Sequence, residues 1–330
     1  MSHWRRREFI TLLGGAMAAL PSLAPAQQAG RMPTVAYLWH AGNAEEEAPF
    51  YGTLVEAFAK LGYVDGRNFR LLHRFPNEIP ENFRKMAVEL ASLKVDVLMS
   101  GSVAAPHLKE ATLTIPIVFM FVPDPVGMKL VQSLAKPGGN ITGLSNFGSD
   151  IAGKRLQLLK EMVPGLSRVG FLVNPNLPMT RMYIDVMGSA ANELRLELRM
   201  FEARALNEME PAFDQMVQAG MQAATIAQGG TAFQARHLNP KLALDRRIPL
   251  CAYSRETFEA GALVSYGPDN IESIRRSALY ADKILKGEKP ANIPVEQPTK
   301  FELLINMKTA KTLGLEVPLH LQQTANEVVE

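Results

Sequence analysis

The chain has 330 residues, with 35 Lys and Arg against 33 Asp and Glu. That near-balance leaves no basic stripe and excludes nucleic acid and anionic membrane surfaces as predicted partners. A single cysteine, Cys251, excludes an intramolecular disulfide, and the length suits two domains better than one core.

Residues 1–26 read as a cleaved export signal. Arg5-Arg6-Arg7 forms a charged start, the apolar run from Ile10 to Leu23 is too short to span a bilayer, and Ala24-Pro25-Ala26 gives an A-x-A site before Gln27. Arg6-Arg7-Glu8-Phe9 also has the twin-arginine pattern, although Thr11 and Leu12 stand where a lysine is often found; the sequence leaves the route open between twin-arginine and general export. Removing the leader leaves 32 basic and 32 acidic residues, so the net positive charge belongs to the address. The mature chain is expected to begin near Gln27 and to work outside the cytoplasm. It carries no lipid anchor in this reading, because Cys251 lies far from the cleavage site.

Beyond the leader, short apolar runs alternate with amphipathic stretches. Residues 34–39 read as a buried strand. Phe50, Leu54, Phe58 and Leu61 recur at helical spacing and predict a helix over 45–61, stopped by Gly62. Strands at 68–75, 95–99 and 115–121 alternate with helices at 81–93 and 104–111. Pro137-Gly138-Gly139-Asn140 is a turn leading into a short extended segment. The pattern then restarts, with helices at 152–162, 179–195, 208–219, 232–244 and 271–285. Strands are predicted at 168–173, 196–202, 223–227, 248–253, 262–267 and 301–306. This alternation predicts an α/β chain with parallel sheets covered on both faces. Such sheets take ligands beyond the carboxyl ends of their strands, and two of them facing each other make a cleft.

The motifs for catalysis are mostly missing. No G-x-G-x-x-G follows a strand and no phosphate-binding P-loop occurs. Gly143-Leu144-Ser145-Asn146-Phe147-Gly148 approaches a nucleophile elbow, but its second glycine comes one residue late, and it reads as an inter-lobe connector. No histidine stands four residues from another and no Cys/His pair exists, so neither a metal nor a cofactor is expected. Asp124, between two prolines after a strand, has the chemistry of a general base without a nucleophile beside it. Cys251 sits in an apolar run and reads as a small buried hydrophobe.

A set of segments covering nearly the whole chain carries a further reading. Arg6-Arg7-Glu8-Phe9-Ile10-Thr11-Leu12-Leu13-Gly14-Gly15, Thr114-Ile115-Pro116-Ile117-Val118-Phe119, Asp124-Pro125-Val126 and Lys136-Pro137-Gly138-Gly139-Asn140-Ile141-Thr142-Gly143 come first. Lys154-Arg155-Leu156, Val173-Asn174-Pro175-Asn176, Ser265-Tyr266-Gly267, the segment from Ile284 to Pro290 and Gln297-Pro298-Thr299-Lys300-Phe301-Glu302 continue it. Together they resemble the periplasmic substrate-binding proteins of ABC importers, in the branch that includes tryptophan- and tyrosine-binding members. The resemblance implies the type I periplasmic-binding fold: two Rossmann-like lobes with parallel sheets, joined by three crossovers and closing about a hinge. Lobe 1 is expected over 31–143, completed by about 268–297, and lobe 2 over 144–267. Residues 298–330 form a crossover and a C-terminal segment whose lobe the sequence leaves open.

The same fold, with the strand-end rule, implies the site. Lobe 1 would present His40 after its first strand, Ser100, Gly101 and Ser102 after its third, and Asp124 after its fourth. Ser100 to Ser102 would stand at a helix N-terminus, where backbone N–H groups favour a carboxylate; Ser102 as a simple helix cap is the alternative. Lobe 2 would present Asn174, Gln228 and Tyr253, with Tyr266 near the return crossover. Amino-acid-binding relatives tend to carry an acid in the loop held here by Gln228-Gly229-Gly230-Thr231. Either Asp124 substitutes, or the ligand is a carboxylate or neutral aromatic without an amine. The implied function is a non-enzymatic solute receptor, a monomer that hands a small organic ligand to an ABC permease in the inner membrane. An exported α/β enzyme using Asp124 or His40 as base, and a ligand-sensing subunit of a membrane receptor, are the alternatives.

Overall fold

Apolar runs punctuated by glycine and proline become strands throughout the computed structural model, which describes residues 31–146 and 148–330 and, at 148–150, the backbone only. The export signal expected over 1–26 lies outside the described residues, as does Phe147 of the connector. The first sheet holds β1 (Thr34–Leu38), β2 (Arg70–Arg74), β3 (Val97–Ser100), β4 (Ile117–Val122) and β5 (Ile141–Ser145), in the order β2-β1-β3-β4-β5. All four pairings are parallel. β1, β3 and β5 are buried end to end, as strands covered on both faces must be.

The helices of this lobe are α1 (Phe50–Lys60), α2 (Pro80–Ser92) and α3 (Ala105–Ala111). α1 buries Phe50, Leu54, Ala57 and Phe58. It ends in a Schellman motif: Gly62, at φ +88°, donates to the Ala59 carbonyl, and Tyr63 N donates to the Phe58 carbonyl. It begins five residues later than the periodicity predicts. Pro49 has no N–H and disfavours helix at Ala48, so 45–49 forms a turn that frees Glu47 for another use.

The second sheet holds β6 (Arg168–Val173), β7 (Glu197–Glu202), β8 (Ala223–Ile226), β9 (Leu250–Ala252), β10 (Val264–Pro268), β11 (Phe301–Asn306) and β12 (Glu327–Val329). Its order is β12-β11-β10-β9-β8-β6-β7. The five strands from β6 to β10 repeat the arrangement of the first sheet. β11 runs antiparallel to β10, which periodicity does not reveal. The helices between them are α4 (Gly148–Met162), α5 (Thr180–Glu193), α6 (Met209–Gln218), α7 (Gly230–Gln234), α8 (Leu238–Asp245) and α9 (Arg255–Glu259). The single helix predicted over 232–244 is two, because Pro240 lacks an N–H and its ring displaces the carbonyl one turn earlier.

The chain crosses three times between the lobes. It leaves the first sheet after β5 and returns through α10 (Asn270–Leu285), which packs Ile274, Ala278, Ala281 and Ile284 into the core of the first lobe beside Tyr37 and Phe50. It crosses again after Glu296, whose backbone pairs with Gly143 and Ser145 of the first connector. The remaining elements, α11 (Met307–Leu313), α12 (Leu319–Thr324) and β12, finish the second lobe; the sequence reading passed over these three and α9. In both sheets the order places a switch point beside the first strand, between β1 and β3 and between β6 and β8. Ligands of open α/β sheets bind there.

Candidate functional site

The carboxyl ends of the two sheets face one cavity with empty space of about 560 Å³, part of it open to solvent. From the first lobe come His40 after β1, the turn Gly101-Ser102-Val103 after β3, Phe50 at the start of α1, and Phe121 with Pro123 at the end of β4. Phe121 is held at φ +61°, a conformation bulky residues avoid, and the register of β4 against β5 shifts beside it. The Asn146 side chain donates to the Phe121 carbonyl at 3.0 Å and helps to hold that backbone.

The second lobe supplies Gln228-Gly229-Gly230 after β8, Phe233 of α7, Tyr253 after β9, and Met179 with Tyr183 of α5. Asn270, at the start of α10, closes one side. The lobes touch directly. Phe233 stacks on Phe50 with ring centroids 4.9 Å apart and meets the His40 ring edge-on at 5.4 Å. Arg236 donates to the Phe233 carbonyl at 3.0 Å and, across the cleft, to the Ala48 carbonyl at 3.1 Å. Its guanidinium lies 4.2 Å from the Phe233 ring centroid, a cation–π distance. The Glu78 carboxylate of the first lobe occupies the space that a Cβ at Gly230 would need.

His40 is the charged member of the wall. Its imidazole lies between Glu47, 3.4 Å from Nε2, and Glu78, 3.3 Å from Nδ1. Burial favours the neutral ring, but the two carboxylates outweigh it and raise the pKa to about 9, so the ring is cationic at neutral pH. Glu47 is fixed in turn by the N–H groups of His40 and Ala41, at 2.9 and 2.7 Å. Among the described residues, no group of three His, Cys, Asp or Glu side chains is arranged to hold a metal, and no helix is long and apolar enough to cross a membrane.

A two-lobed α/β body with a cavity at the facing strand ends is the type I periplasmic-binding architecture. The family model for the ABC transporter substrate binding protein matches residues 46–329. The chain belongs to that family. Proteins of the family bind a small molecule and deliver it to a membrane permease. The chain is 26% identical over 264 residues to a tyrosine-binding protein of Clostridioides difficile, covering 79% of this chain and 75% of that one. A conserved domain protein from Vibrio cholerae has a TM-score of 0.84 at 25% identity, covering 90% of this chain and 100% of that one. An ABC domain from Streptococcus pneumoniae in complex with L-Trp has a TM-score of 0.80 at 22% identity, covering 89% and 100%.

Of the residues expected at the site of this substrate-binding protein, the structure brings His40, Gly101, Ser102, Gln228 and Tyr253 together around the cavity. Four others are placed elsewhere. Ser100 is the last residue of β3, and its hydroxyl is buried beneath the wall without a partner. Asp124 turns back to accept from Gly127 N at 2.8 Å, the ordinary use of an aspartate in a turn. Asn174 donates to Thr231 Oγ1 at 2.8 Å and lines a smaller pocket under α7. Tyr266 stacks on Phe301, packs on the core of the second sheet and does not line the cavity. Ser102 caps no helix: α3 starts only at Ala105, its N-cap residue is Ala104, and the Ser102 hydroxyl is buried without a partner. The sequence reading missed Phe50, Phe121, Tyr183, Phe233 and Asn270. Phe121 was within reach of the strand-end rule; the helical aromatics gave no signal beyond ordinary core spacing.

Proposed function

We propose that the cleft receives a small, flat, largely apolar organic solute, gripped between aromatic walls from both lobes and handed on to an ABC permease. One observation carries this reading: Phe50 and Phe121 of one lobe meet Tyr183, Phe233 and Tyr253 of the other around a single cavity. Flat rings offer a large contact area at little cost in side-chain entropy, and the few polar groups among them fix orientation. The names of the C. difficile and S. pneumoniae proteins, with tyrosine and L-Trp, agree with an aromatic ligand. Binding shifts the hinge equilibrium toward the closed form, and the closed form docks on the permease.

In this reading the protein acts as a monomer in the periplasm, without a lipid anchor and without chemistry of its own. Lobe 1 comprises 31–143 with 268–297, and lobe 2 comprises 144–267 with 298–330. The enzyme alternative loses its bases: a His40 already protonated at neutral pH accepts no proton, and Asp124 is engaged in its turn. The test is calorimetry and thermal shift of the mature chain against a panel of aromatic and aliphatic metabolites. Saturable stabilisation by an aromatic compound, lost in Phe50→Ala and Phe233→Ala, is the expected result. Preference for an aliphatic or sugar ligand overturns the aromatic assignment.

A further inference from the structure

Three residues that line the cavity carry a buried side-chain oxygen with no hydrogen-bond partner: the hydroxyls of Ser102 and Tyr253 and the carboxamide oxygen of Asn270. Each comes from a different part of the fold. Ser102 follows β3 of the first lobe, Tyr253 follows β9 of the second, and Asn270 opens α10 on the crossover between them. Tyr253 is 4% exposed and Asn270 8%. A buried polar group left without a partner costs stability, and folded proteins hold few of them, so three around one cavity call for an explanation.

The three differ in what they ask of a partner. A hydroxyl donates or accepts, whereas a carboxamide oxygen only accepts. Asn270 therefore sets the requirement: an N–H or O–H group must come to it. Its side chain is not spent on capping α10, because that task falls to Asp269, which accepts from Glu272 N at 2.9 Å. Charge leaves room for a cationic donor as well as a neutral one. His40 stands between two carboxylates, and Glu47 and Glu78 each keep a buried oxygen without a partner.

Resting on the reading of this cleft as an aromatic-solute site, we infer that Asn270 determines its specificity by accepting a hydrogen bond from an N–H or O–H group on the side chain of the ligand, with the hydroxyls of Ser102 and Tyr253 completing the polar end of the site. The ligand class is an aromatic compound whose head donates, as against one whose head is a carboxylate alone. Because the three groups belong to both lobes and the crossover, one ligand head pairs with all of them only when the cleft is closed.

Calorimetry on the mature chain tests this with two series that share a ring and differ in the head: 2-phenylethylamine and 2-phenylethanol against 3-phenylpropionate, and tryptamine against indole-3-propionate. Each donor-headed compound is expected to bind about ten-fold tighter, or more, than the carboxylate with the same ring, because the carboxylate leaves the Asn270 oxygen unpaired. Asn270→Ala is expected to lose that preference. Asn270→Asp, which keeps the acceptor and drops the amide N–H groups, is expected to retain it, and its loss there overturns the assignment. Thermal scans without ligand separate binding from structure. Removing an oxygen that has no partner is expected to leave the Tm of Asn270→Ala at or above that of wild type, and a lower Tm overturns the assignment. A carboxylate that binds wild type as tightly as its donor-headed counterpart overturns the inference and leaves the aromatic site standing. Absence of binding by all five compounds overturns both.

Discussion

At the scale of single residues, two positions in the cleft carry predictions. His40 is held cationic by Glu47 and Glu78, with a folded pKa of about 9 against an ordinary value of 6.5. A pKa raised on folding contributes stability that is complete below 6.5 and lost as pH rises through 9. The ring keeps about a fifth of its exposure, so screening tempers the effect. His40→Gln is expected to lower Tm by roughly 1–2 °C at pH 6, the size of a loss near 1 kcal/mol in a chain of this length, with the gap to wild type closing above pH 9 in thermal scans. Gly230 is the second position. A methyl there meets the Glu78 carboxylate of the other lobe, so Gly230→Ala is expected to hold the lobes apart. Ligand affinity should fall about ten-fold for each 1.4 kcal/mol of closure lost, read by titration calorimetry, while the Tm of the ligand-free protein stays close to wild type. The position of His40, Gly101, Ser102, Gln228 and Tyr253 was legible from the strand-end rule, because each follows a strand whose apolar run is plain in the sequence. The partners of His40 were not legible: Glu47 and Glu78 reach it through turns that no periodicity marks.

At the scale of elements, the segment from α7 to α8 reaches from the second lobe to the first. Phe233 belongs by sequence to the second lobe, yet its ring is buried in the hydrophobic cluster of the first, beside Phe50 and Trp39. Helical spacing marked Phe50 as a core residue, but nothing in it singled out Phe233 or showed which lobe either ring meets. Pro240 breaks the helix predicted over 232–244, and the turn that results aims Phe233 and Arg236 across the cleft. Phe233→Ala removes a stacked pair and its buried area only from the closed state. We expect affinity to fall by roughly ten- to a hundred-fold, since stacked rings contribute about 0.5–1.5 kcal/mol beyond their burial, with a rise in the radius of gyration of the ligand-saturated protein by small-angle scattering. A scattering profile unchanged from wild type would argue that the ring only fills space.

At the scale of the whole molecule, address and architecture make one argument. Residues 1–26 carry the excess positive charge, while residues 27–330 are balanced, and the described part of them folds into two similar sheets. Mass spectrometry of the protein recovered from a periplasmic fraction is expected to show Gln27 at its N-terminus. Arg6→Lys with Arg7→Lys is expected to leave the full-length precursor in the cytoplasm if the twin-arginine route is used; unchanged export assigns the general route.

The sequence by itself determined the α/β alternation, the restart that doubles it and the strand ends that could hold a ligand, because these depend on local periodicity and on the turn chemistry of glycine and proline. Only the tertiary structure decided which strand ends share the cavity. Asp124, Asn174 and Tyr266 obey the same local rules as His40 and Tyr253, but strand direction and neighbouring hydrogen bonds turn them away. It alone also showed that α10 returns to the first lobe and that Phe233 crosses between lobes. Those facts depend on residues far apart in the chain, and nothing in their local sequence encodes the meeting.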